Sequence, residues 1–113
     1  MNKTFSKANW FEIFLLLIGK RKRFRVTGDS MSPCLKNGDE ILIKKVVNLK
    51  IGDVVLANHP FKQSVKILKR ITEIDDNGKY FLIGDNPNES TDSRTFGAIS
   101  LNDILGRVEK KLN

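Results

Sequence analysis

From residue 24 onward, apolar residues recur at every second position or in runs too short for a helix, and turn chemistry separates each run from the next. Six segments carry this pattern: 24–27, 40–47, 53–57, 65–74, 80–83 and 105–109. Asn37-Gly38 precedes the second, and Asn77-Gly78 joins the fourth to the fifth as a tight hairpin. Gly-Asp occurs at 28, 38, 52 and 84 and reads as turn punctuation, since the spacing of 14 between the middle pair is too short for a repeat unit. Ser100 and Asp103 suit the cap of one helical turn before the last segment. A mainly β domain is therefore predicted.

At 113 residues, the chain has the length of a single domain with a sizeable core. Its one cysteine, Cys34, cannot form an internal disulfide, and with a lone His59 there is no zinc constellation. No metal or cofactor is expected. The net charge of +7 sits almost entirely in residues 1–25, where seven bases face one acid; the remainder holds 13 bases against 12 acids. Basicity thus belongs to an N-terminal arm, and nucleic-acid binding is not expected.

That arm, residues 1–23, contains an apolar stretch whose unbroken run covers only residues 13–18. Spanning a bilayer needs ~20 apolar residues. A small-residue cleavage site is also missing, because Gly19 leads into Lys20-Arg21-Lys22-Arg23. Secretion is not indicated. Two readings stay open: a short helix docked on the body with the basic run as a solvated connector, or a helix at an anionic membrane surface, favoured by Trp10 and Phe11 beside the bases.

Two segments exceed what an ordinary β domain requires. In Gly28-Asp29-Ser30-Met31-Ser32-Pro33-Cys34-Leu35, Gly28 frees the backbone and Pro33 disfavours helix at Ser32, so the Ser30 hydroxyl projects from an irregular loop between strands. Taken alone, Ser30 is equally a turn serine. In residues 65–72, a period of two places Lys69 in one row with Val65, Ile67 and Ile71. At an ordinary pKa of ~10.4 only about 0.04% of a lysine is neutral at pH 7, whereas a shift of ~3 units makes a large fraction neutral at a cost of ~4 kcal/mol. Such a lysine can act as a general base, although snorkelling or pairing with a carboxylate would also fit the pattern. Together the two segments suggest a Ser-Lys dyad. His59, beside Pro60 in a polar loop without an evident orienting acid, reads as a surface residue.

The residues also carry a resemblance. Gly28-Asp29-Ser30-Met31-Ser32-Pro33 with Gly38-Asp39 resembles the nucleophile box of signal peptidase I and LexA-like serine proteases of the S24/S26 type. Lys69-Arg70 resembles their lysine box, and the stretch from Gly84 to Gly97 resembles the last signal peptidase box, all in family order. The Lys-Arg-rich lead-in and residues 80–86 most resemble the nickel-type superoxide dismutase maturation proteases. What this implies is a signal peptidase-like β fold over residues 24–113, with Ser30 as nucleophile and Lys69 as base. Ser90 matches a serine that orients the lysine, Asp92 and Arg94 a pair that braces its loop, and Arg70 the arginine following the base. Gly28, Asp29, Met31 and Pro33 would form the oxyanion and substrate loop, with Met31 favoured as core. Gly28 replaces a common hydroxyl donor, so the Ser30 backbone N–H and a neighbour would have to serve.

The implied activity is hydrolysis by a cytoplasmic serine endopeptidase that removes a leader from a protein precursor, nickel superoxide dismutase by resemblance, the metal belonging to the product. One alternative is a signal peptidase-like enzyme peripheral to the inner face of a membrane, cleaving secretory preproteins with weak anionic lipid contact through the arm. A self-cleaving repressor is disfavoured because the chain has no Ala-Gly or Cys-Gly dipeptide. A non-enzymatic module with a basic binding arm would instead show salt-sensitive binding and no serine reactivity.

Overall fold

Alternating segments become strands where each face finds cover, and here they assemble one six-stranded antiparallel sheet of order β1-β2-β6-β3-β4-β5. The strands are β1 (Lys22–Arg25), β2 (Glu40–Lys44), β3 (Val54–Asn58), β4 (Lys66–Ile74), β5 (Tyr80–Ile83) and β6 (Ile104–Lys111). Among the described residues, two short α-helices accompany them, α1 (Trp10–Leu17) and α2 (Ser93–Phe96). This computed structural model describes residues 5, 7–17, 19, 21–45 and 48–112, with backbone alone for 15–17. Residues 3, 18, 20, 46 and 47, which enter the sequence reading of the arm and of the second strand, lie outside those described. The mainly β architecture agrees with the signal peptidase/LexA-like fold.

Strand β3 explains why the core has two halves. Its Val54 and Leu56 join Val26, Met31, Leu35, Ile41, Ile43, Leu68 and Val108 in one buried cluster. Its Val55 and Ala57 join Leu49, Ile71, Tyr80, Leu82, Ile99 and Ile104 in a second. A continuous apolar run such as Val-Val-Leu-Ala is what a strand covered on both sides requires.

Three expectations are corrected by the backbone. The basic run is not wholly a connector: Lys22 and Arg23 begin β1, where Arg23 pairs with Glu40 at 2.8 Å. The β4–β5 hairpin is not a two-residue turn. Asp75 N–H donates to the Lys79 carbonyl and Gly78 N–H to the Asp75 carbonyl, leaving a three-residue loop with Gly78 at φ +74°. Nor are all four Gly-Asp pairs alike. Gly28, Gly38 and Gly52 have positive φ, and Asp39 and Asp53 close matching turns by accepting from Lys36 N–H and Lys50 N–H. Gly84 has no positive φ; its missing side chain serves the site described below.

Among the described side chains of helix α1, the buried one is Glu12. Asn9 accepts from Glu12 N–H at the helix start, and the Glu12 side chain is buried near Lys110 at 3.8 Å. Trp10, Phe11 and Phe14 remain exposed. Among the described residues, no helix is long and apolar enough to cross a membrane.

Candidate active site

The registers that build β4 and β5 decide which side chains meet. Arg70 pairs with Ile83 and Ile71 with Leu82, so one further step places Gly84 opposite Lys69. Cross-strand partners project to the same face. A Cβ on Gly84 would lie 2.7 Å from both the Ser30 carbonyl oxygen and Ser90 Cβ. Lys69 therefore points to the face on which the Ser30 and Ser90 segments close over Gly84. Asn86 N–H donates to the Ser30 carbonyl at 2.8 Å, tying the Ser30 loop to the stretch after β5.

Lys69 is buried at 5% exposure, and among the described residues its ammonium has no hydrogen bond and no carboxylate within ion-pair distance. Burial lowers its pKa; the Asp92 charge partly opposes this, while Arg94 adds to it. Asp92 cannot serve Lys69 fully because its oxygens are already committed. Oδ1 accepts from Arg94 Nε at 2.9 Å, and Oδ2 accepts from Arg94 Nη2 at 3.0 Å, Ser90 Oγ–H at 2.7 Å and Gly84 N–H at 3.0 Å. Burial would raise the Asp92 pKa, but these donors prevail and hold it well below the usual carboxylate range. Arg94 also reaches the Pro87 and Ser90 carbonyls, so the pair braces the turn that carries Ser90. Ser90 gives its proton to Asp92, leaving only lone pairs for a further partner.

Ser30 is half-buried in a turn where Ser32 N–H donates to the Asp29 carbonyl and Leu35 N–H to the Met31 carbonyl. Neither its hydroxyl nor its N–H is hydrogen-bonded among the described residues. Gly28, at φ +80°, donates its N–H to Asn37 Oδ1. Asp29 and Pro33 are exposed, and the Asp29 carbonyl also accepts from Asn86 Nδ2. Met31 is 1% exposed in the first cluster, so it fills core.

On the opposite face of β4, Arg70 is held by a partner that sequence reasoning missed. Its Nε and Nη2 each donate to an Asp85 oxygen at 2.9 Å, and Nη1 donates to the Gly52 carbonyl at 2.7 Å. Burial would lower the guanidinium pKa, but Asp85 raises it above its ordinary value. Nη2 also reaches Cys34 Sγ at 3.5 Å, while burial raises the pKa of that thiol. Asp85 lies two positions beyond Ile83, the Arg70 partner, and so shares its face, a relation that only the strand register reveals. His59 is half-buried, not a surface residue, because Phe96 of α2 packs on its ring at 4.9 Å. Its Nδ1 accepts from Phe61 N–H, and no acid orients it among the described residues. Those residues also contain no cluster of three or more metal-ligating side chains.

Residues 19–108 match the Peptidase S24-like family. Over 105 residues of alignment the chain is 30% identical to mitochondrial inner membrane protease subunit 1 of Xenopus tropicalis, covering 73% of this chain and 63% of that protein. The human protein of the same name is 29% identical over 109 residues, with coverage of 76% and 66%. The chain spans just under two thirds of the length of these relatives. Because the match extends over residues 19–108, most of the chain, this chain belongs to the Peptidase S24-like family.

Proposed function

We propose that the chain is a cytoplasmic serine endopeptidase that uses Ser30 as nucleophile and Lys69 as general base to remove an N-terminal leader from a protein precursor. The observation that carries this reading is a buried lysine without a partner on the face where the Ser30 and Ser90 segments meet. A neutral Lys69 amine takes the Ser30 hydroxyl proton as that oxygen attacks the scissile carbonyl. The Ser30 N–H, unspent among the described residues, stabilises the oxyanion. The Lys69 ammonium then protonates the leaving amine, and the neutral amine activates water to release the acyl group from Ser30. Ser90, Asp92, Arg94 and Arg70 hold this geometry without entering the reaction. Residues 24–113 form the catalytic domain and residues 1–23 an accessory arm, although β1 begins inside that arm at Lys22. The substrate implied by resemblance is a nickel superoxide dismutase precursor.

Incubating the protein with that precursor and measuring the mass of the new N-terminus tests chemistry and substrate together. Ser30→Ala should abolish cleavage, a loss of about 1,000-fold or more, while leaving thermal unfolding unchanged. Persistence of cleavage in this variant would place the nucleophile elsewhere.

The exposed Trp10, Phe11 and Phe14 favour a second reading, in which the arm rests on an anionic membrane surface. The names of the inner-membrane relatives point the same way. Co-sedimentation with anionic vesicles that depends on residues 1–23 would support it.

A further inference from the structure

Asn86 stands at the head of a single 3-10 turn, Pro87–Glu89, where an asparagine side chain ordinarily accepts from the backbone N–H groups that follow it. Here it caps nothing. Its Nδ2 instead donates to the carbonyl of Asp29, 57 positions earlier, at 3.2 Å, and its own N–H donates to the Ser30 carbonyl at 2.8 Å. Those carbonyls belong to the peptide units on either side of the Ser30 Cα, so Asn86 holds both. Ser32 N–H also reaches the Asp29 carbonyl, at 3.1 Å, but from within the same loop, where it fixes the shape of the turn and not its direction.

Asn86 is itself fixed from both sides. Asp85 is gripped by Arg70, the neighbour of Lys69 on β4, through bonds of 2.9 Å, and the Pro87 carbonyl accepts from Arg94 Nη2 at 3.2 Å. Through Asn86 the Ser30 loop is therefore referenced to the strand that carries Lys69. In a trans peptide the carbonyl and the N–H point opposite ways, and the Asp29–Ser30 peptide is trans. Holding the Asp29 carbonyl thus sets the direction of the Ser30 N–H, a donor that works without the hydroxyl that Gly28 lacks. Resting on the protease reading above, we propose that Asn86 is a positioning residue whose carboxamide aims the Ser30 N–H at the oxyanion without touching the substrate.

The test separates aim from stability. A proteome-derived peptide library is incubated with the wild-type protein, and kcat and KM are measured on one peptide that it cuts, for wild type, Asn86→Ala and Asn86→Asp. The aspartate variant keeps the shape but cannot donate at neutral pH. Each substitution should lower kcat by about 10-fold to 100-fold with KM within about twofold, because the oxyanion forms only on the way to the tetrahedral intermediate. The acyl half of the same peptide is then made as a boronic acid and as its analogue lacking the boron group. Boron takes up the Ser30 oxygen as the hydroxyl proton passes to Lys69, and a boron hydroxyl then lies where the oxyanion would. Both variants should lose affinity for the boronic acid by about tenfold or more while keeping affinity for the analogue. Partial unfolding weakens both ligands alike, so the ratio reports aim alone. Wild-type kcat in both variants, or an unchanged ratio, overturns this role and leaves the protease reading standing. A library that the wild-type protein leaves intact defeats the protease reading, and this role with it.

Discussion

Lys69 and Arg70 are adjacent cations on β4, each 5% exposed, yet they face opposite sides of the sheet and have opposite surroundings. Arg70 has a bidentate carboxylate, a backbone carbonyl and a thiol around it. Lys69 has no hydrogen-bonding partner among the described residues, and the nearby Asp92 is occupied by Arg94. Equal burial therefore has different meanings. A buried charge held by a bidentate carboxylate keeps structure, whereas one kept from its carboxylate is disposed to lose its proton.

The largest test of that contrast is exchange of the lysine. Lys69→Met should reduce peptide hydrolysis by about 1,000-fold to 10,000-fold while leaving the unfolding midpoint unchanged or higher, because an uncompensated buried cation is removed. Lys69→Arg should not restore activity, since a guanidinium stays protonated. Activity retained in either variant would place the base elsewhere. Arg70→Met should do the reverse in kind. It strands the Asp85 carboxylate and should destabilise the fold by about 3–5 kcal/mol, measured by urea unfolding. Adding Asp85→Leu should recover part of that loss. If Arg70→Met unfolds at the wild-type midpoint, the buried pair is not structural.

Gly84 provides the next step, because its bare backbone lets the two regions meet. Gly84→Ala places a methyl group 2.7 Å from the Ser30 carbonyl oxygen and against Ser90, so either the Ser30 loop or the Ser90 turn has to move. A loss of about 1–3 kcal/mol in stability is expected, with a larger fractional loss of hydrolysis. An alanine variant with wild-type turnover would show that close approach of these segments does not matter to the chemistry.

How much of this was legible in the sequence differs between strand and register. The period of two put Lys69 in an apolar row, and the Val-Val-Leu-Ala run marked a doubly covered strand. The partner of Lys69 was beyond that reasoning because two local irregularities set it. Gly78 at positive φ makes the hairpin loop three residues long, and the register then shifts between Ile71 and Glu73, leaving Thr72 bulged. Without that bulge, Arg70 instead of Lys69 would stand opposite Gly84. The Asp85 contact was hidden for the same reason. The burial of Glu12 on α1 was equally unreadable, since its ion-pair partner, Lys110, stands at the far end of the chain.

The smallest effect expected is in the pH dependence of stability, and it separates the two cations without requiring a substrate. Burial lowers the Lys69 pKa in the folded protein, so between that value and an ordinary lysine pKa of ~10.4 the unfolded chain binds more protons than the folded one. Stability then rises with pH through that window. The penalty is complete below the folded pKa and disappears above the unfolded one. In Lys69→Met the group is absent, so the wild-type protein should gain stability on the variant as pH increases from 7 towards 10. All other side chains are common to both proteins, so the difference between the two urea curves isolates Lys69. Parallel curves would mean that Lys69 remains charged in the fold to the same pH as in the unfolded chain, which would remove the physical distinction between it and Arg70.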